Sequence, residues 1–86
     1  MTPIFIDVRE PFEYAASHVQ GALNIPPQQL MAGATPLANV PKDAPLVLYC
    51  RSGSRSNTSI HILQRLGYTN LTNGINQQQV EAKYGL

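Results

Sequence analysis

Seven consecutive residues, Cys50-Arg51-Ser52-Gly53-Ser54-Arg55-Ser56, gather the only cysteine of the chain, two arginines, three serines and a glycine. A lone cysteine on its own reads as a small buried core residue. One cysteine makes no internal disulfide, and no Cys/His cluster has zinc spacing. The setting of Cys50 changes that reading. It ends an apolar run, Leu46-Val47-Leu48-Tyr49, and the polar loop after it opens a helix. A helix N-terminus offers unpaired N–H groups and partial positive charge, which favour an anion. Gly53 lets the loop curl so that successive amides point inward as a nest, and Arg51 and Arg55 add fixed positive charge on either side. These effects lower a thiol pKa from its reference of ~8.5. A drop of about two units would leave roughly three quarters of the thiol ionised at pH 7. The thiolate is the nucleophile, so Cys50 is the candidate catalytic residue.

The elements around the loop place it. Ile4 to Val8 is short, β-branched and apolar, and reads as a buried strand. Glu10-Pro11 starts a helix, since proline suits the first helical position; Phe12, Ala15, Ala16 and Val19 form its apolar face and Gly21 ends it. Ala22 to Ile25 reads as a second strand, stopped by Pro26-Pro27. Gln28 to Ala38 is expected to hold one short helix around Leu30 and Met31, broken up near Gly33 and Pro36. Leu46 to Cys50 is the clearest strand, apolar on both alternating faces as a central parallel strand should be. From Ser56 the pattern turns helical, with Ile60, Leu63 and Leu66 spaced three apart and Gly67 as the stop. A short strand near Asn70 to Thr72 leads through Asn73-Gly74 into a last helix carrying Val80. Strands alternating with helices predict an α/β fold, a small parallel sheet flanked by helices on both faces. In such sheets ligands bind beyond the carboxyl ends of the strands, where Cys50 falls.

Length and charge bound the rest. At 86 residues the chain suits one domain, residues 1–86, with no linker or internal repeat. Charged residues are 13% and the formal net charge is +1, so there is no electrostatic footprint for nucleic acid or an anionic membrane. No apolar run approaches the ~20 residues that span a bilayer. The chain shows no secretory leader and opens on Met1, which favours the cytoplasm; its low charge and many Gln and Asn would also suit a periplasmic protein whose leader had been removed.

Three blocks in order resemble the rhodanese family. Cys50 to Ser56 after an apolar strand is similar to the family's active-site loop. Ile6-Asp7-Val8-Arg9-Glu10-Pro11-Phe12-Glu13-Tyr14 is similar to its opening strand and helix. His18-Val19-Gln20-Gly21-Ala22-Leu23-Asn24-Ile25-Pro26 resembles its second signature. The resemblance spans about residues 4 to 75 and is nearest to small stand-alone bacterial members, such as the phage-shock rhodaneses. It implies a rhodanese-like fold and a thiosulfate sulfurtransferase. Cys50 would attack the outer sulfur of a donor such as thiosulfate, release sulfite and keep a persulfide. Backbone amides from Arg51 through Ser56 would stabilise the terminal sulfur, and cyanide or a thiol would remove it. No metal or organic cofactor is implied, because sulfur travels on the protein. The implied partners are a small anionic sulfur donor and a thiol or cyanide acceptor, with a protein sulfur acceptor as a further candidate. A non-catalytic persulfide carrier or docking module is the alternative.

Loop length bears on the choice of chemistry. Four residues separate Cys50 from Arg55, whereas cysteine phosphatases place five between Cys and Arg and so cradle a phosphate. The position six after Cys50 is Ser56, not a basic residue, which favours sulfur transfer. Asp7, Arg9 and His18 read as structural support, Tyr49 as core, and Glu10 and Glu13 as complements to a helix dipole. Ser52, Ser54 and Ser56 are possible donors to the persulfide. His61 is expected on an exposed face. Family members often carry Gly-Gly and then Trp near the C-terminus; here Asn73 replaces the first Gly and Gln78 stands about where the Trp would be. Both departures bear on the packing of the last helix and the shape of the pocket rim, and so on substrate choice.

Overall fold

A computed structural model describes residues 2–86. Four strands, β1 (Ile4–Asp7), β2 (Leu23–Asn24), β3 (Leu46–Cys50) and β4 (Leu71–Asn76), form one all-parallel sheet in the order β2-β1-β3-β4. Between and after them run α1 (Pro11–Ala16), α2 (Pro27–Met31), a 3-10 turn (Thr35–Leu37), α3 (Ser54–Arg65) and α4 (Gln77–Tyr84). The period-two alternation of the strands sorts their side chains into two cores. Ile6, Leu46, Leu48 and Cys50 pack with Leu30, Leu37 and Leu63 on one face. Phe5, Val47 and Tyr49 pack with Val19, Ala22 and Val80 on the other, flanked by Tyr14 of α1 and Tyr84 of α4. All five residues of β3 are buried, as expected of a strand covered on both faces. The expected α/β architecture is therefore present. No helix among the described residues is long and apolar enough to cross a membrane.

Three local expectations change. The helix after Pro11 stops at Ala16, because Ser17 turns extended (φ −169°, ψ 142°) and its N–H caps Glu13 O. Val19 therefore enters the core from a non-helical segment, while Phe12 is left 74% exposed and α1 buries no residue fully. Gly21, at φ +81°, shapes the approach to β2 instead of ending the helix. The stretch expected as one helix around Leu30 and Met31 is two pieces, because Gly33 (φ +114°) and Ala34 (φ 53°) take left-handed backbone between them. Leu30 is buried and Met31 exposed. Helix α3 starts at Ser54, two positions before Ser56, so both serines lie in its first turn.

Strand β4 runs through Asn73-Gly74 and on to Asn76. The register passes from Leu48↔Asn73 to Tyr49↔Ile75, which leaves Gly74 as a bulge. A Cβ on Gly74 would stand 2.5 Å from Val80 Cγ2, 3.0 Å from Val47 Cγ1 and 3.3 Å from the Leu48 carbonyl. Glycine is required here by close approach of α4 and β3. Gly74→Ala is expected to cost about 2 kcal/mol by overpacking, read as a lower midpoint in chemical denaturation; an unchanged midpoint would contradict the packing.

Candidate active site

Cys50 ends β3 and is 1% exposed. Directly after it, Gly53 takes φ +91° and serves as the N-cap of α3 without a side-chain cap, so the first amides of the helix remain available. The Gly53 N–H donates to Cys50 Sγ at 3.1 Å, and Ser56 Oγ lies 3.5 Å from the sulfur. Burial by itself pushes the thiol up. The Ser56 hydroxyl and the amides of Ser56, Ser52 and Gly53 more than offset this and bring it down from 9.0 to about 7. At that value about half of the thiol is ionised at neutral pH.

The two arginines of the loop part ways. Arg51 is exposed and lines a depression of about 320 Å³ together with Cys50, Arg9, Asn76, Gln77 and Gln78. Arg55 turns toward α1, with Nη1 and Nη2 at 3.2 and 3.3 Å from the Glu13 carboxylate. That pairing raises Arg55 and lowers Glu13. Symmetric flanking charge is thus corrected: Arg55 adds to the field at Cys50, but its donors tie α3 to α1. Glu13 is a partner in that tie as well as a first-turn carboxylate. Ser52 and Ser54 are exposed, whereas Ser56 is fully buried. His61 is exposed.

Asp7, Arg9 and Tyr49 form a polar network at the end of β1. Asp7 is fully buried and holds Arg9 through contacts of 2.9, 3.0 and 2.7 Å from Nε and Nη2, while the Arg9 amide donates to Oδ1. Arg9 Nη2 also donates to the Ser17 carbonyl at 2.6 Å. The Tyr49 hydroxyl donates to Asp7 Oδ2 and accepts from the Val19 N–H, both at 3.0 Å. Burial pushes the Tyr49 hydroxyl well up, which keeps it a donor. His18 stacks on Tyr14 with ring centroids 3.7 Å apart, and its Nδ1 meets the Tyr14 carbonyl at 2.8 Å. These contacts tie His18 to α1.

In the sequence Asn73 reads only as a departure from a glycine pattern. In the structure it braces the loop from β4. Its Nδ2 donates to the Gly53 carbonyl at 3.0 Å; its Oδ1 accepts from Ser56 Oγ at 2.7 Å and from the Ile75 N–H at 3.0 Å. Ile75 sits at φ +74°, an uncommon backbone for a β-branched residue, and its side chain lies against Gly53. The signal in the chain is weak: an amide residue directly before Gly74, which becomes the bulge of β4.

A parallel α/β sheet with a cysteine cradled by amides at the end of its central strand defines a small anion-stabilising sulfur site. The chain belongs to the rhodanese-like domain family, which it matches over residues 1–79. It is 39% identical over 72 residues to the thiosulfate sulfurtransferase PspE of Escherichia coli K12, covering 80% of this chain and 65% of that protein. A sulfurtransferase of Allochromatium vinosum is 33% identical over 70 residues, covering 81% and 63%. The chain thus spans less than two thirds of the length of these relatives. Among solved structures it superposes on a rhodanese with anions from E. coli with TM-score 0.80 and 32% identity, covering 91% of each chain. For a human single-domain sulfurtransferase the TM-score is 0.76 at 29% identity, covering 92% of this chain and 81% of the other.

The thiol makes a pH prediction. Alkylation of Cys50 by iodoacetamide should accelerate with pH and level off with a midpoint near 7, because only the thiolate reacts. The same shift links to folding. Stability from thiolate formation is complete above pH 9.0 and is lost as pH falls through about 7. A midpoint near the unperturbed value would contradict the cradle.

Proposed function

We propose that this chain is a sulfurtransferase that carries sulfane sulfur as a persulfide on Cys50. The Gly53 N–H held 3.1 Å from the buried Cys50 sulfur, with Ser56 Oγ 3.5 Å away and the Ser52 and Ser56 amides favouring the same thiolate, carries the reading. In the first step the Cys50 thiolate attacks the outer sulfur of thiosulfate. A new S–S bond forms, the S–S bond of thiosulfate breaks, and sulfite leaves with the electron pair. The persulfide retains one negative charge on its terminal sulfur. Backbone amides preset in the loop stabilise that charge without reorganising. In the second step cyanide, or a thiolate, attacks the terminal sulfur and regenerates the Cys50 thiolate. Arg51 and Arg9 line the depression beside Cys50; Arg51 supplies positive charge for an anionic donor, whereas the charge of Arg9 is matched by Asp7. The sulfur rides on the protein, so this cycle asks for no further cofactor. The names of the relatives and the short loop between Cys50 and Arg55 support sulfur as the cargo.

Incubation with thiosulfate followed by mass measurement of the intact protein is expected to show a gain of one sulfur atom that cyanide removes as thiocyanate. Cys50→Ser should abolish both. Absence of the gain in the wild-type protein would overturn the proposal, and a gain that cyanide does not discharge would point to a carrier that loads without cyanide turnover.

A further inference from the structure

Ser56 has a single hydroxyl proton and two claimants for it. Asn73 Oδ1 is 2.7 Å away and Cys50 Sγ is 3.5 Å away. The orientation of the Asn73 carboxamide follows from its other partners. The Ile75 N–H can only donate, so the atom 3.0 Å from it is oxygen; the Gly53 carbonyl can only accept, so the atom 3.0 Å from it is nitrogen. Asn73 Oδ1 therefore accepts from Ser56, and the hydroxyl proton points away from the sulfur. That arrangement suits a protonated thiol, whose own S–H donates to Ser56 Oγ. It does not suit a thiolate or a persulfide, which would face an oxygen lone pair. For Ser56 to stabilise the anion, its hydroxyl must rotate from Asn73 to sulfur.

We infer that Asn73 is a positioning residue for Cys50, holding the Ser56 hydroxyl proton while the sulfur is neutral and releasing it when the sulfur becomes anionic. Asn73 Oδ1 keeps the Ile75 N–H after the switch, so it is never left unpartnered. The chain Cys50–Ser56–Asn73 thus has two hydrogen-bonded states: between them the thiol S–H bond breaks, its proton leaves to solvent, and the Ser56 O–H bond rotates intact from Asn73 to the sulfur. Asn73 has a second, opposite effect: its Nδ2 fastens the Gly53 carbonyl and so holds the loop amides on the sulfur. The charged groups facing Cys50 are Arg51 in the loop, Arg55 of α3 in its pair with Glu13, and Arg9 in its pair with Asp7. None of these bonds to the Asn73 carboxamide, whose partners are Gly53, Ser56 and Ile75.

The inference rests on Cys50 as the reactive thiol, but its readout is ionisation and not sulfur transfer. A double-mutant cycle separates the proton switch from the brace. The Cys50 pKa is measured by the pH dependence of alkylation in wild type, Ser56→Ala, Asn73→Ala and the double variant, each shown to be folded by circular dichroism. Ser56→Ala should raise the pKa. Loss of the brace acts in both backgrounds, whereas loss of the competing acceptor acts only where Ser56 is present. The shift caused by Asn73→Ala with Ser56 present should therefore lie about one unit lower than its shift in the Ser56→Ala background, roughly a ten-fold difference in acidity. Equal shifts in the two backgrounds would overturn the inference. A second measurement needs no Asn73 variant: the carbon-13 shift of the Asn73 side-chain carbonyl in the wild-type protein should titrate with Cys50 and cease to do so in Ser56→Ala. A carbonyl shift that does not move through the Cys50 titration, or moves equally without Ser56, would also overturn it.

Discussion

An anionic sulfur at the buried end of a central strand is opposed by the surroundings that build the strand. β3 is covered on both faces, and burial alone drives the Cys50 thiol toward its neutral form. The loop from Arg51 to Ser56 reverses that preference with dipoles more than with net charge. Gly53 turns the chain there, aims its own N–H at the sulfur and leaves the start of α3 without a side-chain cap. Fixed dipoles of this kind need no rearrangement when charge appears on the sulfur.

The two strands that flank β3 each end in a polar network, and only the one on β4 bonds to the loop itself. At the end of β1, Asp7 gathers Arg9 and Tyr49 into a buried network that also fixes Ser17 and Val19, the segment leading from α1 to β2. From β4, Asn73 holds both ends of the turn, Gly53 and Ser56. The bulge at Gly74 and the left-handed backbone of Ile75 redirect β4 beside the loop. Such a backbone costs on the order of 1–3 kcal/mol for a non-glycine residue. The Ile75 N–H bond to Asn73 and the contact of its side chain with Gly53 hold it there.

Much of this organisation is readable in the chain because it is local. The apolar run Leu46 to Cys50, the glycine three residues on and the helical spacing of Ile60, Leu63 and Leu66 lie next to one another, and the structure places β3, the turn and α3 accordingly. Interactions that join distant segments are not readable in that way. Arg55 and Glu13 are 42 positions apart, as are Tyr49 and Asp7, and nothing in the local pattern pairs them. The face of α1 is a different case. Its apolar spacing assumes a helix reaching Val19, and the extended Ser17 ends that helix early and leaves Phe12 outside the core. Asn73 reads as a missing glycine in sequence, and only the approach of β4 to the loop shows what its carboxamide does.

The central claim is that the loop amides are the seat of the transferred sulfur. A high-resolution crystal structure of the protein after incubation with thiosulfate tests this most directly. The account predicts a terminal sulfur on Cys50 within hydrogen-bond reach of the amides of Ser52, Gly53 and Ser56. A terminal sulfur turned away from those amides, toward Arg51 and solvent, would contradict it.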